Sequence, residues 1–139
     1  MSGKHSSLEI ETEDIAEILL ECERAPIVGI HMDYLQKKPS RTCKIIGQNG
    51  TIYWDYYMNT VNVFMVETAQ IKNYYFDGFE RNQMYYDELK HFISCLHRKE
   101  KPTVGLTDAR KTLEIALMAK QSSLDGKEYT FPFEEIEEK

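Results

Sequence analysis

His31 and Asp33 stand two residues apart in an extended stretch, so a strand there presents both on one face. A carboxylate beside an imidazole can orient it for proton transfer. No nucleophile lies near the pair in sequence, and a polar patch on a sheet or subunit contact is its commoner occupation. Lys37 and Arg41 lie either side of Lys38-Pro39-Ser40. A guanidinium at such a loop can grip a carboxylate or phosphate through two parallel hydrogen bonds, so Arg41 and Lys37 are the candidates if the substrate carries such a group. The plainer reading of Arg41 is a solvated charge that blunts an edge strand. His31, Asp33, Lys37 and Arg41 form the candidate substrate-binding set.

Three tyrosine doublets, Tyr56-Tyr57, Tyr74-Tyr75 and Tyr85-Tyr86, accompany Trp54. Such rings can stack on a sugar, although strand aromatics more often pack a core or an interface. His91 and Cys95 are four apart on a helical pattern. Two ligands do not make a zinc site, so no metal is expected.

These residues need elements to hold them. Pro26 to Leu35 alternates as a strand, with Val28, Ile30, Met32 and Tyr34 on one face and Gly29, His31 and Asp33 on the other. Thr42 to Ile46, Gly47-Gln48-Asn49-Gly50 and Thr51 to Trp54 read as a hairpin in which Asn49-Gly50 supplies positive φ angles. Val61 to Val66 and Ile71 to Phe76 follow as strands rich in β-branched and aromatic residues. Tyr85, Leu89, Phe92, Ile93 and Leu96 then fall at helical spacing, and Pro102 closes that helix. A second helix is expected with Thr107 as its cap, Asp108 in its first turn, Ala109, Leu113, Ala116 and Leu117 facing the core, and Gly126 just past its end. Tyr129 to Phe133 reads as a last short strand. Asp14 to Glu23 fits either a strand or a helix, and its Ala, Leu and Glu content tilts local chemistry toward helix.

Strands followed by a helix pair imply an α+β fold: an open, mainly antiparallel sheet with two C-terminal helices on one face. The other face, with its Tyr and Trp, is expected at a subunit interface. The 139 residues suit one domain, and 42% hydrophobic residues can supply a core. A net charge of −6 argues against nucleic acid, whose binding rests on Lys and Arg. No apolar run is long enough for a bilayer, so no membrane is expected. Three scattered cysteines form no disulfide or C-x-x-C pattern and fit a reducing, cytoplasmic setting. Residues 1–7 read as a flexible start and 134–139 as a solvated acidic tail.

The order of several segments resembles the C-terminal domain of the Gfo/Idh/MocA oxidoreductases, the family of glucose-fructose oxidoreductase and inositol dehydrogenase. The segments are Glu13-Asp14-Ile15-Ala16-Glu17-Ile18-Leu19-Leu20, Gly29-Ile30-His31-Met32-Asp33-Tyr34-Leu35 with Pro39-Ser40-Arg41, and Ile45-Ile46-Gly47-Gln48-Asn49-Gly50-Thr51-Ile52. Glu88-Leu89-Lys90-His91-Phe92 and Leu106-Thr107-Asp108-Ala109, running on to Ser122-Ser123-Leu124-Asp125-Gly126-Lys127, complete the set. The resemblance covers residues 8–133 and implies a strand, not a helix, over Asp14 to Glu23. It implies a substrate and dimerisation domain whose open sheet joins a homodimer or higher oligomer. It also implies a separate Rossmann domain that holds NAD(P) for hydride transfer to a sugar or cyclitol.

No G-x-G-x-x-G string occurs in this chain, so no cofactor-binding residue is assigned. Glu100-Lys101-Pro102 spells the family's E-K-P motif, but it follows a helix in the wrong half of the family's order and reads as a loop. The family's Asp-x-x-x-His pair would precede Leu8. No catalytic residue is therefore carried over, and the expectation is a domain inactive alone. The competing expectation is a non-catalytic dimeric scaffold or small-ligand-binding protein.

Overall fold

A computed structural model describes residues 1–24 and 26–131. The acidic tail and the last two residues of the expected final strand lie outside the described residues. The chain forms two compact units, Met1–Leu35 with Pro102–Lys139, and Gln36–Lys101.

The first unit contains β1 (Ser2–Gly3), β2 (Ile15–Leu20), β3 (Val28–Asp33) and α2 (Leu106–Asp125). The strands form one antiparallel sheet in the order β1-β2-β3, with Ile15 opposite Asp33 and Leu20 opposite Val28. β2 is thus a strand despite its helix-favouring residues: pairing with β1 and β3 outweighs propensities worth tenths of a kcal/mol each, roughly 0.7 at most. β1 falls within the stretch read as a flexible start. Asp14 accounts for its order. Its carboxylate accepts hydrogen bonds from the His5 amide (2.8 Å), the Ser6 amide (2.8 Å) and the Ser6 hydroxyl (2.6 Å), and its side chain is only 1% exposed. The Ser6 hydroxyl, followed by the two amides, holds the Asp14 carboxyl below its ordinary pKa against the opposing cost of burial.

α2 begins after Gly105, not at a Thr107 cap: the Asp108 carboxylate accepts the Gly105 amide at 3.3 Å, leaving Thr107 inside the helix. It ends as expected at Gly126, which adopts φ 69°. The Ser2 amide donates to Ser123 Oγ (2.7 Å), Ser123 Oγ donates to the Ser2 carbonyl (3.1 Å), and Lys120 pairs with Glu13 (2.7 Å). Ile115, Met118, Ala119, Ser122 and Ser123 are half-buried. The face expected in the core is turned outward instead, with Leu113 59% and Leu117 57% exposed. Tyr129 to Phe131 form no strand; the Tyr129 hydroxyl donates to Asp125 at 2.5 Å.

The second unit is an antiparallel meander, β4 (Thr42–Gly47), β5 (Gly50–Asp55), β6 (Thr60–Met65) and β7 (Gln70–Tyr75), followed by α1 (Arg81–Leu96). The expected strands are all present, β6 and β7 beginning one residue early. The expected chemistry of the first turn is corrected. Gly47 pairs with Gly50, so Gln48-Asn49 is the turn, and neither Asn49 nor Gly50 has positive φ. Gly50 is needed for another reason: a Cβ there would meet the Phe64 carbonyl oxygen on β6 at 2.1 Å. Left-handed backbone occurs at the last residue of each of the next two turns, Asn59 (φ 50°) and Ala69 (φ 52°).

The expected α+β order therefore holds, with the strands divided between two antiparallel sheets. Pairing register places Cys43, Ile45, Ile52, Trp54, Val61, Val63, Met65 and Tyr74 on one face of the β4–β7 sheet, together with the polar Lys72 and Gln70 of β7. Among the described residues no apolar side chain is buried. The α1 stripe of Tyr85, Leu89, Phe92, Ile93 and Leu96 is likewise exposed, and Met84, His91, Ser94 and Cys95 occupy its more sheltered side.

Candidate functional site

The first unit assembles a cluster around His31. Strand pairing puts Glu17 on β2 directly opposite His31 on β3. Alternation puts Asp33 beside it on the same face, as the sequence spacing requires. His31 Nδ1 contacts Glu17 Oε1, and His31 Nε2 contacts Asp33 Oδ2 at 2.6 Å. The Asp33 side chain is 4% exposed, and its second oxygen accepts the Leu35 amide at 2.7 Å. The Glu17 hydrogen bond, and then that of Asp33, raise the His31 pKa above 6.5, because both carboxylates favour the imidazolium. Both ring nitrogens are engaged, so the group is a held cation between two anions. In this form it stitches β2 to β3 and offers no lone pair for proton abstraction. Glu17 was not singled out in the sequence; its signal was the β2 strand assignment, which makes residues 17 and 31 cross-strand neighbours.

Arg41 and Lys37 belong to the second unit. Lys37 is exposed in the loop before β4. Arg41 precedes β4, and its carbonyl accepts the Tyr56 amide at 3.0 Å, which extends the β4–β5 ladder beyond Asp55. Its guanidinium lies over Tyr56 at 5.0 Å and Trp54 at 5.8 Å. Arg81, at the start of α1, lies over Tyr57 at 5.7 Å and Tyr56 at 5.9 Å. Tyr56 meets Trp54, Tyr57 and Phe79 edge-on, with ring centroids 6.0, 5.3 and 6.0 Å apart. Asp55 shapes the turn that presents these rings, accepting the Tyr57 and Met58 amides at 2.9 and 3.0 Å.

Each exposed cation–π contact stabilises by about 0.5–1 kcal/mol. Neither guanidinium is ion-paired among the described residues, so the pair keeps its positive charge beside ring faces. That combination suits an anionic ligand with a flat or apolar part. The sequence marked Arg41, Trp54 and the Tyr56-Tyr57 doublet, but not Arg81 or Phe79, which come from a loop and a helix start with no motif to flag them.

Comparison with known protein families, with curated proteins and with solved structures gave no match at any of the three levels. Among the described residues no group of three or more His, Cys, Asp or Glu is arranged to hold a metal ion. No helix among them is long and apolar enough to cross a membrane.

Proposed function

We propose that this chain is a substrate-binding and assembly domain of an NAD(P)-dependent sugar or cyclitol dehydrogenase of the Gfo/Idh/MocA type. On this reading it is inactive in hydride transfer without a Rossmann domain, and it resides in the cytoplasm. The observation that supports it best is the β4–β7 sheet. Its face is apolar from Cys43 and Ile45 across β5 and β6, with Lys72 and Gln70 beside Tyr74 at the β7 edge, yet Ile45 is 57% exposed. Apolar burial is the main favourable term in folding and association, so a sheet built this way calls for a covering surface. A second copy of the chain is the cover that the family resemblance implies. The missing G-x-G-x-x-G string supports the dependence on a separate cofactor domain.

The test joins two measurements on the purified chain. Sedimentation equilibrium is expected to give a dimer or higher oligomer, and an Ile45→Lys change on the apolar face is expected to dissociate it. Calorimetric titration with NADH is expected to show no binding. A monomer would refute the assembly role, and saturable binding of NADH near the micromolar range, about 8 kcal/mol, would refute the dependence on another domain.

A second reading, a non-catalytic small-ligand-binding protein, draws on Arg41 and Arg81 around Tyr56. Binding of an acidic sugar that is lost in Arg41→Ala without any change in oligomeric state would favour it.

A further inference from the structure

One constellation plays no part in the functions above. On α1, Cys95 Sγ lies 3.6 Å from His91 Nε2, and His91 Nδ1 lies 2.6 Å from Glu100 Oε2. The first contact comes from i, i+4 spacing on one helix face. The second comes from a chain reversal just past the helix, where Arg98 takes φ 58°. There the amides of His97, Lys99 and Arg98 donate to the carbonyls of Ile93, Ser94 and Cys95, at 3.1, 3.0 and 2.9 Å. The reversal returns Glu100 to the side of His91.

With the Nδ1–H donated to Glu100, the Nε2 lone pair faces the Cys95 thiol. The order of groups is nucleophile, base and orienting carboxylate. A helix C-terminus ordinarily opposes a thiolate, but here the carbonyls of Ile93, Ser94 and Cys95 are already hydrogen-bonded. The adjoining Arg98, Lys99 and Lys101 add positive charge. Low-molecular-weight disulfides that carry carboxylates would be attracted to it.

We propose that Cys95 is a reactive thiol that undergoes exchange with small anionic disulfides, with His91 as its base and Glu100 as a positioning residue. His91 Nε2 accepts the thiol proton, and the Cys95 thiolate attacks one sulfur of the disulfide. A bond forms between Cys95 Sγ and that sulfur as the original S–S bond breaks. The departing thiolate takes the proton from His91 and leaves as a thiol. One disulfide is consumed and one mixed disulfide is formed, so electrons balance without another oxidant.

Cys22 and Cys43 supply an internal control. Both are exposed whereas Cys95 is half-buried, so access alone ranks Cys95 last and activation ranks it first. The reduced full chain is incubated with oxidised glutathione at pH 7, and each cysteine is followed by peptide mass spectrometry. Cys95 is expected to react at least ten-fold faster than Cys22 or Cys43. His91→Ala is expected to remove that advantage, and added imidazole to restore part of it, with Cys22 and Cys43 unchanged throughout. Glu100→Gln is expected to slow Cys95 selectively, with Glu100→Asp recovering part of the rate. Equal or slower reaction at Cys95 in the unaltered chain overturns the proposal. So does an advantage that vanishes with the uncharged hydroxyethyl disulfide, because attraction of charge would then replace the role given to His91.

Discussion

Replacing Gly50 by Ala tests the register of the β4–β7 sheet directly. The added Cβ would lie 2.1 Å from the Phe64 carbonyl oxygen, 3.2 Å from its carbon and 3.5 Å from Met65 Cα. All three obstacles are backbone, so no side chain can swing aside. Reaching even 3.0 Å requires the strands to part by about 0.9 Å. A ladder bond of about 2.9 Å would then stretch to about 3.8 Å, outside bonding range. Losing roughly two such bonds at about 1 kcal/mol each, with about 1 kcal/mol of residual strain, gives a cost of about 3 kcal/mol. Gly47 pairs with Gly50, yet a Cβ on Gly47 comes no closer than 3.7 Å to the Gly50 carbonyl oxygen. Gly47→Ala should therefore change stability by no more than about 0.5 kcal/mol. The assay is denaturant unfolding followed by fluorescence of Trp54, the single tryptophan, which sits on β5. Gly50→Asn discriminates the cause. Asn tolerates positive φ but brings the same Cβ, so the clash predicts a loss as large as with Ala. Rescue by Asn, or a cost below about 0.5 kcal/mol for Ala, would refute the close approach as the reason for glycine.

Two further outcomes are expected. NMR titration of the His31 ring protons should give a midpoint above 6.5, and Glu17→Gln should bring it back toward that value. Because folding raises this pKa, the group's stabilisation is complete below 6.5 and is lost as pH climbs through the folded midpoint. The β2–β3 pairing should thus loosen on the alkaline side, seen as faster amide exchange at Glu17 and His31. Ala69→Gly should raise stability by about 1 kcal/mol, measured by the same Trp54 unfolding assay, since only alanine's Cβ opposes the left-handed backbone there.

The meander was the most legible part of the chain. A hairpin signal marked β4 and β5, and β-branched and aromatic content marked β6 and β7, because pairing between sequence neighbours leaves a local signature. Asn49-Gly50 misled on detail. The dipeptide has the composition of a positive-φ turn, but the constraint on Gly50 comes from Phe64, fourteen residues on, and no local pattern encodes it. β2 is the reverse case: its residues locally favour helix, and only partners at β1 and β3 make it a strand. The exposed leucines of α2 show why an apolar stripe does not fix which face is sheltered. Polar ties from Ser123 to Ser2 and from Lys120 to Glu13 decide its orientation. In the sites, shared strand faces joined His31 to Asp33, whereas Glu17, Arg81 and Glu100 required knowledge of which segments meet. Asp14 gave no sign at all, since a lone aspartate among Glu and Thr reads as a surface charge.

The turns of the meander also bear on how the unit forms. β5, β6 and β7 begin at Gly50, Thr60 and Gln70, a spacing of ten residues, and each pairs with the strand just before it. Every closure is therefore a short loop, with a small entropic penalty that does not grow as the sheet widens. Hairpins of this size close in roughly 1–10 μs, and low contact order favours rapid folding. The strands can be laid down one after another as the polypeptide leaves the ribosome, each new strand using the last as its template. The growing sheet also has open edges at β4 and β7 to which a wrong neighbour can pair, so the speed of its formation and its exposure to misassembly arise from the same ten-residue repeat.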